Sequence, residues 1–324
     1  MKLIQHQYGK ARVRVLKITR NGKQHSLKEL AVEVGLSGDF DASYTRANNR
    51  LVVATDSMKN TVNIFAKKKL GAQNEAFGVA LGEHFLQTYP QVKRVEINLS
   101  ERCWARIPVG GKPHAHSFSE KSPAKPFARI VCTKKETQIE SGIEDLLILK
   151  STGSGFEGFL RDEFTTLPET SDRIFATKLK ATWTYARKPK NYSATNEKIL
   201  AAMLATFAKN FSPSVQVTLF QMGAAALKVA QADLELDPHE GKASIVGNVR
   251  HRRIGEVAAP FIGTIALGVH WGRRRDQKQT NQPAIHHRPP RNSKRSIWAF
   301  SNDGASSNAR RTSRRAAARS PALR

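Results

Sequence analysis

Apolar and polar residues alternate with period two at some places along this chain and recur with a period near 3.6 at others. Arg12-Val13-Arg14-Val15 and Val32-Glu33-Val34-Gly35-Leu36 alternate, which predicts two half-buried strands. Asn21-Gly22 lies between them and suits a tight hairpin turn. Met58, Val62 and Phe65 then recur at i, i+4 and i+7, predicting a helix from about Asp56 to Lys68 with Thr55 as its N-cap. Lys67-Lys68-Lys69 stands at its end, where positive charge complements the helix dipole. A second helix is predicted from about Asn74 to Tyr89, with Phe77, Ala80, Leu81, His84 and Phe85 on one face and Pro90 as its stop. Val95, Ile97 and Leu99 alternate with Arg94, Glu96 and Asn98 in the strand that follows.

The second half repeats this plan. Leu146–Lys150 and Thr177–Ala186 read as strands, separated by a less regular stretch that includes Arg161–Arg173. A helix is predicted from about Asn196 to Lys209, capped by Thr195, with Ile199, Leu200, Met203, Leu204 and Phe207 inward. Ser212-Pro213 ends it. Val215, Val217 and Leu219 alternate with Gln216, Thr218 and Phe220, which predicts a strand carrying Gln216 on its polar face. Tyr89-Pro90-Gln91-Val92 and Ser212-Pro213-Ser214-Val215 therefore stand at matching places, and the succession predicts a duplicated α+β unit. The first unit is expected over 1–135 and the second, incomplete, over 136–245. Past about 240 the periodicity dissolves, and 246–324 reads as a low-complexity basic tail with no strand-forming pattern.

Charge sharpens that boundary. The chain has 324 residues and a net charge of +26. Residues 241–324 hold 18 basic residues, 15 of them arginine, against 3 acidic ones. The body before them is moderately basic, which suits an anionic ligand. The tail has the composition of a disordered segment. Its arginines would bind phosphate non-specifically and with steep salt dependence; Trp271, Trp298 and Phe300 are the aromatics available to stack on bases. Cys103 and Cys132 are the only cysteines, and no Cys/His spacing suggests zinc. His114 and His116 lack a third ligand in sequence and read as structural. Val257–Trp271 is too short for a span of about 20 residues and contains Pro260, so no membrane segment is expected. Nor does Met1–Gln7 begin a signal peptide.

Longer patterns carry a resemblance. Leu149-Lys150-Ser151-Thr152 through Phe156, Gly158–Leu167 and Asp172-Arg173 resembles the signature of the urate oxidase (uricase) family. Val53-Ala54-Thr55-Asp56-Ser57 with Lys59-Asn60-Thr61 is similar to a second motif, Pro113-His114 through His116-Ser117-Phe118 to a third, and Tyr8-Gly9-Lys10 with Val13-Arg14-Val15 to a fourth. The match covers about residues 5–235. It implies the tunnelling fold: an α+β chain of two tandem repeats of antiparallel sheet with helices on the outer face, assembled as a homotetramer. It also implies oxidation of urate by dioxygen with no flavin, metal or other cofactor. The compartment implied is cytoplasmic, or peroxisomal in a eukaryote, although the terminal Pro-Ala-Leu-Arg is not a peroxisomal address.

The same resemblance assigns roles. Arg173 and Gln216 grip the edges of the purine, since a planar guanidinium donates two parallel hydrogen bonds to an anion. Val215 offers its backbone N–H, and Phe156 stacks on the ring. Thr55 and the backbone of Asp56 reach substrate from a neighbouring subunit, at a helix start that presents free N–H groups. Lys10 is the general base, relaying a proton through Thr55. After Gln216 the family carries an Asn-x-His element that this chain lacks. Asp237-Pro238-His239 stands in that region, and Asn248 and His251 have other spacing. A change of reading frame near 230–245 accounts for the break and predicts an impaired relay. Two other readings are non-specific nucleic-acid binding by the tail and a different planar-heterocycle enzyme of the same fold.

Overall fold

Two copies of one unit, strand–strand–helix–helix–strand–strand, build the chain. A computed structural model describes residues 3–185, 188–233, 244–251 and 261–268. In the first unit β1 (Tyr8–Asn21) and β2 (Gln24–Gly38) form a hairpin whose turn residue Gly22 has φ +56°. A short α1 (Asp41–Arg46), then α2 (Thr55–Lys69) and α3 (Asn74–Thr88), lead to β3 (Val92–Arg102). A separate hairpin of β4 (Trp104–Val109) and β5 (Lys112–Glu120) precedes β6 (Lys125–Thr133). The second unit runs β7 (Thr137–Lys150), β8 (Phe175–Thr184), α4 (Tyr192–Lys209), α5 (Val215–Asp233), β9 (Ser244–His251) and β10 (Phe261–Gly268).

Eight strands make one antiparallel sheet in the order β1-β2-β3-β6-β7-β8-β9-β10. The period-two pattern is what fixes its faces. Val13 and Val15, then Leu30, Val32, Val34 and Leu36, then Val95, Ile97 and Leu99, are buried beneath Met58, Val62, Phe77, Leu81 and Phe85 of the first helix pair. Leu179, Ala181 and Trp183 of β8 pack in the same way against Ile199, Met203, Phe207, Leu219 and Met222 of the second pair. At about 25 cal/mol per Å2 of apolar area removed from water, burial of this kind is the main driving term for both layers.

Two details repeat between the units. β1 bulges between Lys10 and Val13, with Arg12 at φ +57°, and β7 bulges between Ile143 and Leu146, with Asp145 at φ +59°. Five residues beyond each bulge a lysine reaches the C-cap carbonyl of the first long helix of its unit, α2 or α4. Lys17 Nζ donates to the Leu70 carbonyl at 2.7 Å, and Lys150 Nζ to the Asn210 carbonyl at 2.6 Å. The duplication is therefore present, but the matching places differ from those expected. Pro90 follows the second helix of its unit, whereas Pro213 lies between the two helices of its own.

The segment from Val215 is helix, not strand. Six residues of alternation cannot separate the two periods; the longer run can. Val215, Leu219, Met222, Ala226, Leu227 and Ala230 are buried along one helical face. Ser214 starts the helix, its Oγ accepting from Val217 N at 3.2 Å. α4 likewise begins earlier than expected, at Tyr192. Its cap is Asn191, whose side chain accepts from Ala194 N, while Thr195 is buried inside the first turns. The expectation that sequence past 240 supplies no strands also fails: β9 pairs with β8 from Trp183↔Ile245 to Thr177↔His251, and β10 pairs with β9. Most of the arginine-rich tail, Trp271, Trp298 and Phe300 included, lies outside the described residues.

A buried polar cluster ties the units together. Glu75 in the first turn of α3 accepts from Ser141 Oγ of β7 and from Asn196 Nδ2 of α4. Asn196 Oδ1 accepts from Trp183 Nε1 at 2.9 Å and from the Tyr185 hydroxyl. Burial pushes the Tyr185 hydroxyl's pKa well up, and that of neighbouring Tyr192 to about 12, so both stay protonated and Tyr185 remains a donor to Asn196. Asn196→Ala deprives Glu75 of a donor and two aromatic donors of their shared acceptor. It is expected to destabilise by about 2–3 kcal/mol, from the cost of unsatisfied buried groups. Urea unfolding measures it, and a change below about 0.5 kcal/mol would show the cluster to be energetically idle.

Candidate active site

The sequence-predicted residues fall into two groups, one in each unit. The first surrounds the bulge of β1. Tyr8 fixes β1 to the segment before α2, its hydroxyl accepting from Val53 N at 2.7 Å and donating to the Val53 carbonyl at 3.3 Å. Burial raises the pKa of that hydroxyl, which keeps its proton in place for the bond. A Cβ on Gly9 would lie 1.8 Å from the Val34 carbonyl oxygen, so only glycine lets the strands approach here. Lys10 follows at the bulge, exposed, beside a hollow of about 320 Å3 that Gln7, Tyr8, Glu33 and Asn98 also line. A bulge re-aims the side chains at its edge.

Thr55 is the first residue of α2 and is exposed. It is not the N-cap. Ala54 occupies that position in extended conformation, without a side-chain cap bond. The early N–H groups of the helix have no carbonyl four residues back, so Thr55 and Asp56 can present donors to an anion. The Asp56 carboxylate turns to its own helix, accepting from Lys59 Nζ at 2.6 Å and Asn60 Nδ2 at 2.9 Å. Lys59's hydrogen bond and charge hold its pKa below the ordinary carboxylate value, with a smaller contribution from Lys10, which places the Lys10 ammonium in the electrostatic reach of this helix start.

The second group is built on three pieces of chain laid side by side. Residues 153–156 run between Ser212 and Thr170. Gly155 N donates to the Ser212 carbonyl and Ser212 N to the Gly153 carbonyl, both at 2.9 Å. Phe156 and Thr170 exchange backbone bonds at 2.8 and 3.1 Å. Arg173 N donates to the Ser154 carbonyl at 2.7 Å. The Arg173 guanidinium then lies 5.1 Å from the Phe156 ring centroid, and that ring stacks on Phe159 at 4.7 Å, nearly parallel. Val215 and Gln216, three and four residues past Ser212, open α5 beside them, with Gln216 exposed. The polar strand face predicted for Gln216 is thus replaced by a helix start, where the Val215 N–H also has no intrahelical partner.

Asp172 braces this loop and escaped the reading of the sequence as a functional position. Its carboxylate accepts from Thr152 Oγ1 at 2.6 Å and from Gly153 N at 2.7 Å. The Thr152 hydroxyl, first, and the backbone N–H groups hold its pKa below the usual value. The only signal in sequence was its place directly before Arg173.

One chain does not bring the two groups together. Register carries Lys10 across the sheet to Val34, Ile97, Ile130 and Ile139. The Phe156–Arg173 loop instead leaves from Lys150, at the far end of the same strand, β7. Four strand spacings sideways and eleven residues lengthwise put the groups on the order of 40 Å apart.

The Phe156 ring, the Arg173 guanidinium and the start of α5 lie on a duplicated antiparallel scaffold of the tunnelling-fold class. Comparison with known proteins agrees. The model of the Uricase family matches residues 6–131 and 139–251. The chain is 43% identical over 221 residues to the uricase of Dictyostelium discoideum, covering 67% of this chain and 77% of that one. It is 41% identical over 229 residues to that of Emericella nidulans, covering 67% and 76%. The crystal structure of the uricase from Arthrobacter globiformis superposes with a TM-score of 0.71 at 32% identity, covering 87% of this chain and 98% of that one. The chain belongs to the uricase family, the oxidoreductases that oxidise urate. The family match runs to residue 251, past the limit near 235 that the motifs had drawn. Nothing in these comparisons supports nucleic-acid binding.

Asp172→Ala removes the acceptor of three loop donors, Thr152 Oγ1, Gly153 N and, at 3.4 Å, Ser154 N. Faster hydrogen exchange at the Gly153 and Ser154 amides is expected, with the exchange of the buried sheet unchanged. Acid acts in the same direction. Because the folded pKa is lowered, the brace is complete above the ordinary carboxyl range and is lost as pH falls through the lowered value. Equal amide protection in the variant and the unaltered chain would show that Asp172 does not brace the loop.

Proposed function

We propose that this chain oxidises urate with dioxygen and water to 5-hydroxyisourate and hydrogen peroxide, at sites shared between copies of itself in a homotetramer. The reaction balances: urate loses two electrons and gains a hydroxyl from water, and dioxygen takes the electrons and two protons. Arg173 and Gln216 bind opposite edges of the purine anion, Val215 N–H adds a donor, and Phe156 stacks on the ring. Thr55 and the backbone of Asp56 meet the same purine from a neighbouring copy, and Lys10 takes up its proton through Thr55. The separation of the two groups on one sheet carries the shared-site reading: neither corner encloses a ligand, and the two are complementary in chemistry. Exposed apolar residues around the second corner, Leu160, Phe164, Ile174, Phe211 and Phe220, support contact with another chain there. Without the family's Asn-x-His element the relay is incomplete, and turnover is slower than in relatives that carry it.

Loss of urate's ultraviolet absorbance with formation of peroxide tests the activity. Arg173→Ala should lower kcat/KM about 100-fold, equivalent to roughly 3 kcal/mol. Lys10→Met should lower kcat with little change in KM. Mixing distinguishes a shared site from one within a chain. Co-assembly of the Lys10→Met and Arg173→Ala chains should restore about a quarter of the unaltered activity, because a quarter of randomly paired sites draw both intact halves. No recovery from mixed oligomers that are shown to form would remove the shared site.

A further inference from the structure

We infer that Lys150 is a positioning residue for the urate site, acting through the backbone that carries Phe156, Arg173 and Gln216; this rests on the function proposed above. Lys150 is the last residue of β7. Its ammonium donates to the Asn210 carbonyl at 2.6 Å and to the Gly153 carbonyl at 3.3 Å, and stands 5.3 Å from the Phe207 ring centroid. Those two carbonyls belong to the two segments that must stay in register. Gly153 opens the strip that ends at Phe156 and carries the anchor of Arg173. Asn210 opens the turn that delivers Val215 and Gln216. The Ser154–Ser212 bridge joins these segments through backbone bonds, and Lys150 closes the end of that bridge.

The first unit shows what this lysine does without a site beside it. Lys17, at the corresponding place after the bulge of β1, donates to the Leu70 and Lys67 carbonyls at the end of α2. Both of its acceptors belong to a helix end, where a cation complements the dipole. Lys150 keeps that duty at Asn210 and exchanges the second acceptor for Gly153, the start of the binding loop. Gly153 is at φ +74°, where few other residues fit, so the carbonyl it offers has a defined direction. The duplicated helix cap has thereby become a tie between two parts of a ligand site. A displacement of about 1 Å between purine-gripping groups is enough to weaken the fit substantially.

Lys150→Met keeps the stem and removes the ammonium, and Lys17→Met does the same to the plain cap. Both should lower Tm by similar small amounts. Only Lys150→Met should raise KM for urate, by about tenfold, with Lys150→Arg restoring it. Burial lowers the Lys150 pKa, so the tie is present at neutral pH and is lost as pH rises through that lowered value. At alkaline pH the KM of the unaltered chain should therefore climb ahead of that of Lys150→Arg, whose guanidinium stays charged. If Lys150→Met loses Tm as Lys17→Met does but keeps KM and its pH dependence, Lys150 is a helix cap and the inference fails alone. If Lys150→Met does not fold, the pH comparison between the unaltered chain and Lys150→Arg decides, and coincident profiles overturn it. An unaltered chain that leaves urate untouched removes the functional reading, and this inference with it.

Discussion

The strip of backbone from Gly153 to Phe156, held between Ser212 and Thr170, is the constraint on which the ligand-facing half of this protein depends. It is not part of the main sheet, yet it borrows the same ladder bonding on both of its sides. That bonding converts an insertion between β7 and β8 into a platform. Arg173 leaves it with its N–H already anchored on Ser154, so the guanidinium is placed by the backbone rather than by its own flexible stem. The Ser212 edge hands the chain to α5, whose first turn carries Val215 and Gln216. Asp172 and Lys150 both close the strip's Gly153 end, one with a carboxylate on N–H groups, the other with an ammonium on carbonyls.

Duplication explains why such an arrangement could arise twice and be used differently. Each unit has a bulge in its first strand, a lysine five residues on, and a helix C-cap beneath that lysine. In the first unit Lys10 sits on the bulge itself, and Tyr8 fixes β1 against the segment before α2. In the second unit the loop beyond the lysine, rather than the bulge at Asp145, carries Phe156 and Arg173. A rigid antiparallel sheet then holds these two solutions at opposite corners. The sheet cannot fold its own corners together without breaking the pairing of its strands, which is the reason the proposed site is one shared between copies.

Much of the fold was legible because its core strands alternate cleanly and its helices repeat an apolar stripe. β1, β2, β3, α2 and α3 stand where the pattern placed them. The failures have physical causes. Val215–Phe220 satisfies both periods over six residues, and only the run out to Ala230 separates them. The hairpin of β4 and β5 lies off the main sheet with few buried residues, so it leaves little alternation to read. β9 and β10 are short apolar runs without clean alternation, beside an arginine-rich tail, and pairing with β8 and with each other is what makes them strands. Thr195 and Thr55 were plausible caps by residue type. Asn191 and Ala54 hold those positions because the chain turns into the helix one to four residues earlier.

For the site, the sequence by itself determined the chemical cast. An arginine, a glutamine, a phenylalanine, a helix-opening threonine and a lysine stand in motifs specific enough to indicate a flat anionic ring. Local patterns can do this because they fix residue type and order. Tertiary structure decided the rest. It put Gln216 on a helix start, set Arg173 beside Phe156, revealed Asp172 and Lys150 as braces, and separated Lys10 and Thr55 from all of these by most of a sheet. Those relations depend on strand order and register, in which residues far apart in the chain, such as Glu29 and Arg102 or Thr177 and His251, become neighbours and residues of one motif set are held at opposite corners.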